Sequence, residues 1–251
     1  KAIRILNPIT EDLSIMRTTL APSMLNTVVR NLRRGNMEGK LFELAKVYIP
    51  KELPLKDFPE EKARLCIGMW GKCSFYDVSG IVTSIADSLN TEIECEVAEK
   101  PFLHPGKTAK LICEGEEIGY AGVLAPTVEN ELAIDRNVVL AEIDYEKLMA
   151  HAKPFRYSPI PKFAEVERDL ALVCDTDITC GKLKKEIFAS CKYVTKVALF
   201  DVYLGSQIGE GKKSMAFNIT FTPKDEPIED RIDGFVKKIL NNLNARLGVT
   251  L

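Results

Sequence analysis

Two side chains able to handle a nucleobase stand two residues apart in Leu199-Phe200-Asp201-Val202-Tyr203-Leu204-Gly205. In an extended strand Asp201 and Tyr203 share one face, while Phe200, Val202 and Leu204 share the other. One face is therefore expected to be packed and the other to present a carboxylate and a phenol. A tyrosine ring stacks on a base, and a carboxylate accepts the amino and imino protons of guanine. The lysines of Gly211-Lys212-Lys213-Ser214, across a turn, can hold phosphate. By residue type alone, the same stretch also fits an ordinary solvated sheet face.

Other patterns resolve to less. His104-Pro105-Gly106-Lys107-Thr108 ends like a phosphate-binding loop, but the loop needs a glycine where this chain has Pro101, which has no amide hydrogen to give. The expectation is a tight turn feeding a strand from Thr108. Neither His104 nor His151 lies in a nucleophile elbow, so hydrolase chemistry is not expected. The carboxylate pairs Glu60-Glu61, Glu116-Glu117 and Glu229-Asp230 read as solvated faces or as helix first turns. Seven cysteines, at 66, 73, 95, 113, 174, 180 and 191, form no C-x-x-C pair, which reads as reduced thiols in apolar neighbourhoods with no metal site.

The elements that must position Asp201 and Tyr203 follow a regular order. Leu170 to Cys174 reads as a strand and Gly181 to Ser190 as a helix with Leu183, Ile187 and Phe188 inward. Val194 to Leu204 and Ser214 to Phe221 are strands around a turn at 205–211. Glu229 to Leu247 is a helix with its apolar positions inward, and Val249 to Leu251 a short last strand. This β-α-β-β-α-β order is that of a ferredoxin-like fold, with helices on one sheet face and the other free to bind. Such a fold alone names no function.

Upstream, residues 2–6 alternate like a strand, Pro22 to Leu32 has helical spacing, and Lys40 to Ile49 is a strand. A surface loop carrying Pro54 and Pro59 precedes a strand from Ala63 to Trp70 and an amphipathic helix from Asp77 to Leu89. Strands then follow at Glu92 to Val97, Thr108 to Cys113, Ile118 to Leu124 and Val138 to Ile143, an α+β arrangement with helices expected on one face of an antiparallel sheet. The stretch His151 to Pro161 holds Pro154, Pro159 and Pro161 without periodicity. It is expected to separate domains at 1–153 and 158–251.

With 251 residues, 46% of them hydrophobic, the chain can bury real cores, and a net charge of -2 removes any global electrostatic case for nucleic-acid binding. Attraction to RNA would have to be local. No apolar run reaches the roughly 18 residues of a membrane span, and the opening residues lack the charged-then-apolar layout expected of a secretion signal. A soluble, cytoplasmic protein with no membrane or DNA partner is expected. The opening Lys1-Ala2-Ile3-Arg4, without Met, reads as part of something larger.

Arg168-Asp169-Leu170-Ala171, Leu199 to Tyr203 and Glu210-Gly211-Lys212-Lys213-Ser214 resemble the signature of the ferredoxin-fold anticodon-binding domain of bacterial phenylalanyl-tRNA synthetase beta subunits. The resemblance implies that the sheet face stacks and reads the first anticodon base, a guanine, through Ala171, Asp201, Tyr203 and Ser214. Arg168, Lys212 and Lys213 would touch phosphate. Asn7 to Ser14, Met16 to Leu20, Leu41 to Leu44 and Pro101 to Lys107 resemble the same subunit's catalytic-like module, a class II synthetase core without activity. An active core ends in a glycine-repeat strand leading to an arginine that grips ATP. Val138 to Lys147 here has no glycine and places Glu142 and Asp144 where triphosphate would approach.

The resemblance thus implies a noncatalytic piece that binds the tRNA(Phe) anticodon and scaffolds a catalytic alpha subunit in an alpha2-beta2 assembly. It carries no cofactor itself, while the parent enzyme uses ATP and magnesium. A free-standing class II enzyme is disfavoured by the glycine-free stretch 138–147. A protein-interaction scaffold without an RNA role is disfavoured by Asp201, Tyr203 and the paired lysines.

Overall fold

The computed structural model describes residues 2–157, 159–224 and 226–251. Ser158, where the second domain is expected to begin, lies outside the described residues, as do Lys1 and the side chain of Asp12 in the Asn7 to Ser14 motif. The chain divides into two compact units, Lys1–Phe155 and Arg156–Leu251.

The first unit is built on a six-stranded antiparallel sheet of β1 (Gly39–Ile49), β2 (Glu60–Gly71), β3 (Ile93–Val97), β4 (Leu103–Cys113), β5 (Glu116–Leu124) and β6 (Asn137–Asp144), in the order β1-β2-β6-β5-β4-β3. Strand β6 is buried from Val138 to Asp144, so both of its faces need cover. They get it from different helices. Helix α1 (Ala21–Arg33) packs Met24, Leu25 and Val28 with Cys66, Val138 and Leu140, whereas α2 (Phe75–Ser88) packs Val78 and Val82 with Ile67, Met69, Val139 and Ala141. Alternate residues of β2 and β6 thus face opposite helices, which corrects the expectation of helices on one face. A Cβ on Gly68 would fall 2.6 Å from Met24 Cγ, so glycine lets α1 lie directly on the sheet there. Helix α2 starts at Ser74, whose amide and hydroxyl both donate to Asp77 Oδ2, at 2.8 and 2.7 Å.

Two sequence expectations change here, and two helices are added. Residues 2–6 form no strand, only a bridge between Arg4 and Ile15. The His104 to Lys107 segment is not a turn ahead of β4 but an irregularity inside it: the strand starts at Leu103 and its pairing with β5 shifts between Leu103 and Thr108. Thr108 Oγ1 donates to the His104 carbonyl at 2.7 Å and closes that excursion. Two short helices had no clear periodicity: α3 (Pro126–Glu131) and α4 (Tyr145–Ala150), the latter capped by Asp144, which accepts from the Lys147 amide at 3.1 Å.

The second unit has β7 (Val166–Asp175), α5 (Cys180–Ser190), β8 (Val194–Tyr203), β9 (Lys212–Phe221) and α6 (Ile232–Leu247), with sheet order β7-β9-β8. The expected last strand is reduced to one bridge, Val173 to Thr250, beside β7, which completes the ferredoxin-like order. Leu170, Leu172 and Cys174 of β7 and Met215, Phe217, Ile219 and Phe221 of β9 point to one face. There they meet Leu183 and Ile187 of α5 and Ile232, Ile239 and Leu243 of α6 in a continuous core. Fully burying each such side chain contributes roughly 1.5–3 kcal/mol. Helix α6 starts later than its apolar pattern suggests, because Glu229–Arg231 is a 3-10 turn. It ends at Gly248 with φ 64, a left-handed value that glycine adopts without strain.

Candidate nucleic-acid interface

The sheet face opposite α5 and α6 is assembled from alternate residues of three strands. Cross-strand pairing sets Ala171 of β7, Ala216 of β9 and Asp201 of β8 in one row, and Val173, Ser214 and Tyr203 in the next. Ala171, Asp201, Tyr203 and Ser214 are therefore neighbours on one face, although up to 43 positions separate them along the chain (214 minus 171). Ala171 and Ala216 supply a floor with no projecting side chain, bounded on the β8 side by the carboxylate and the phenol. Tyr203 is 47% exposed. Its ring lies against Gly205, where any Cβ would collide with the phenol.

A bulge in β8 between Leu199 and Asp201 sets this geometry. Phe200 is the extra residue, so the simple alternation that put it opposite Asp201 is interrupted there. The expectation of a packed Phe200, Val202 and Leu204 face is overturned: they are 59%, 45% and 67% exposed. The reason is position. This end of β8 lies at a sheet edge, and the core of this unit takes in Leu199 but none of these three side chains; Phe188 of α5, expected inward, is also 43% exposed.

The basic residues fall less uniformly. Lys212 shares register parity with Ser214 and stands at the end of the open face, its Nζ 3.4 Å from Asp175. Lys213 and Arg168 take the parity of Cys174 and Leu170, the helix-covered side. Lys213 Nζ donates to the Thr176 carbonyl at 3.0 Å and Arg168 Nη1 to the Glu167 carbonyl at 2.9 Å. The open face itself carries the carboxylates of Glu167, Asp169, Asp175 and Asp201, with Lys196 and Lys212 towards its two ends. A face rich in acceptors suits the N–H groups of base edges better than the oxygens of phosphate.

In the first unit Glu142, which sequence reading set against triphosphate, is buried under α1. Its Oε2 accepts from Thr19 Oγ1 at 2.5 Å, the Leu20 amide at 3.0 Å, the Ala21 amide at 3.2 Å and Tyr120 OH at 3.1 Å. A carboxylate thus satisfies the amides at the start of α1, where the helix dipole favours negative charge. Burial first, and then this carboxylate, pushes the Tyr120 phenol up and holds the Cys66 thiol at about 12, so both stay protonated. Asp144 pairs with Arg64 at 3.2 Å. Nothing in the spacing of Thr19, Tyr120 and Glu142 could have revealed this cluster, since sheet pairing sets Tyr120 beside Glu142 and the approach to α1 brings Thr19 to them.

Among the described residues, no group of His, Cys, Asp and Glu side chains is arranged to hold a metal, and no helix is long and apolar enough to cross a membrane.

The second unit is a ferredoxin-like domain with an open, acceptor-bearing sheet face beside the exposed Tyr203 ring, and residues 161–251 match the family model of the ferredoxin-fold anticodon binding domain. The chain belongs to the phenylalanyl-tRNA synthetase beta chain family, whose CLM-domain model matches residues 1–145. It is 38% identical, over 98% of its length, to the phenylalanine–tRNA ligase beta subunit of Clostridium tetani, of which it covers 32%. The Bacillus subtilis subunit is 36% identical over 94% of this chain, and the Syntrophotalea carbinolica subunit 36% identical over 98%. The chain spans about a third of the length of the curated relatives it matches, 31–33%.

Proposed function

We propose that the second unit binds the anticodon of tRNA(Phe) and that the first scaffolds the catalytic alpha subunit, within an enzyme that attaches phenylalanine to tRNA at the expense of ATP. The observation that carries the tRNA part is the pair of adjacent rows, Ala171–Ala216–Asp201 and Val173–Ser214–Tyr203. A base lying on the alanine floor stacks on the Tyr203 ring. Asp201 accepts protons from the Watson–Crick edge of guanine, and Ser214 supplies a hydroxyl that serves as donor or acceptor. Lys212 gives up Asp175 to reach phosphate. Arg168 and Lys213 reach it only from the sheet ends, since their register parity is that of the covered face.

The scaffold reading rests on the first unit's exposed apolar residues. The N-terminal segment is tied to β1 by the bond from the Tyr48 amide to the Arg17 carbonyl and by the Arg17–Glu43 ion pair, at 2.8 Å each. Segment and strand leave Leu6, Ile9, Leu13, Phe42 and Leu44 exposed, apolar surface of the kind that marks subunit interfaces. The chain alone catalyses nothing in this reading. Strand β6 offers no glycine for close approach of a nucleotide, and Glu142 fills the α1 terminus with a charge of the wrong sign for phosphate. The active site lies in the alpha subunit, with ATP and magnesium, and the assembly is alpha2-beta2 in the cytoplasm.

Filter-binding titration of the chain with tRNA(Phe) and a non-cognate tRNA tests the first half. Tighter binding of tRNA(Phe) supports it, and equal binding of both contradicts it. Phenylalanine-dependent ATP–pyrophosphate exchange by the chain alone, abolished by substitutions in the first unit, would contradict the second half.

A further inference from the structure

One row beyond Ala216 on the open face stands Asn218, between Asp169 of β7 and Ala198 of β8. Its Nδ2 donates to Asp169 Oδ1 at 2.9 Å and to Glu167 Oε2 at 3.3 Å. Turned the other way, the amide would set its carbonyl against two carboxylates, so these partners decide which end is nitrogen. Both amide protons are committed. Oδ1 is left as a fixed acceptor, and among the described residues no hydrogen-bond donor reaches it. Two residues along a strand is about 7 Å, so a base seated over Asp201 and Tyr203 leaves this acceptor uncovered. Ala198 and Ala216 beside it raise no side chain to obstruct a second base.

We propose that Asn218 Oδ1 reads a second nucleotide, one that flanks the base held by Asp201 and Tyr203, by accepting a proton from its exocyclic amino group. The proposal rests on the anticodon-binding reading above. Adenine and cytosine carry the amino group that the acceptor needs. Uracil would bring a carbonyl up to Oδ1 and to the carboxylates of Glu167 and Asp169, which disfavours it. Glu167 and Asp169 are positioning residues here: they hold the amide in the orientation that accepts.

The test uses anticodon stem-loops in which each nucleotide flanking the first anticodon base is varied in turn among adenine, cytosine and uracil. The wild-type chain is expected to favour the amino-bearing bases over uracil at one flank. Asn218→Ala should weaken binding of those stem-loops by about 2- to 12-fold, the range of one ordinary hydrogen bond, and leave the uracil one unchanged. The Glu167→Gln, Asp169→Asn double variant should also lose the preference while Asn218 is still present, because the amide is then free to flip. A purely structural Asn218 would change all stem-loops alike. Absence of any flank preference in the wild-type chain, or a preference that survives Asn218→Ala, overturns the inference. Tyr203→Ala in parallel separates the two readings: if it loses affinity while Asn218→Ala keeps the preference, the anticodon face stands without Asn218. If Tyr203→Ala and Asp201→Ala are both silent, the underlying reading fails.

Discussion

At the scale of single residues, two side chains dominate and for different reasons. Tyr203 is half exposed with one side of its ring against Gly205, so the other offers a π surface to a base. Tyr203→Ala is expected to weaken binding of an anticodon stem-loop by about 1–3 kcal/mol, roughly five- to 150-fold, at low and high salt alike. Lys212→Ala should behave differently, lowering the salt slope by about 0.7 without altering base preference. Glu142 matters to stability instead. Removing its carboxylate orphans the Leu20 and Ala21 amides and two hydroxyls in a buried site. Glu142→Ala should therefore cost the first unit about 3 kcal/mol or more in denaturant unfolding, whereas Phe200→Ala, on an exposed edge, should cost little. Equal stability of Glu142→Ala and wild type would show that α1 is held by apolar packing alone.

At the scale of elements, the pattern of legibility is itself informative. Helices α1, α2, α5 and α6 carry long apolar periodicities, and their existence follows from sequence; so does the shared face of Asp201 and Tyr203, two residues apart on one strand. What could not be read was set by cross-strand pairing. The bulge at Phe200 is invisible in residue types, and the exposure of Val202 and Leu204 follows from their place at a sheet edge, not from their hydrophobicity. Ala171 carries no chemistry that singles it out, and only the family resemblance points to it; the adjacency of Ala171 and Ser214 to Asp201 and Tyr203 is a product of register. The short helices α3 and α4 have too few residues to show a period. Helix α2 makes a pH-dependent prediction. The Ser74 hydroxyl, then the Ser74 amide, hold the Asp77 carboxyl below its ordinary value. A depressed carboxylate contributes stability that is present above the unfolded value and lost as pH falls through the folded one. Melting temperature should therefore fall more steeply with acidification in wild type than in Asp77→Asn; parallel curves would remove the cap from the account.

At the scale of the whole molecule, the two units have separate cores, and the segment between them is proline-rich with Phe155, Tyr157 and Ile160 exposed. Limited chymotrypsin digestion should cut first at Phe155 or Tyr157 and leave a resistant fragment extending to Leu251; early cuts within β7 to β9 would contradict that. The central claim is that the open face of this second unit reads a base, and one titration addresses it most directly. Stem-loops that differ only in the first anticodon base are bound to the wild-type chain and to Asp201→Ala. A guanine preference in wild type that flattens in Asp201→Ala, with the affinity for the other three bases little changed, is the predicted result. An Asp201→Ala variant that keeps the full guanine preference would contradict it.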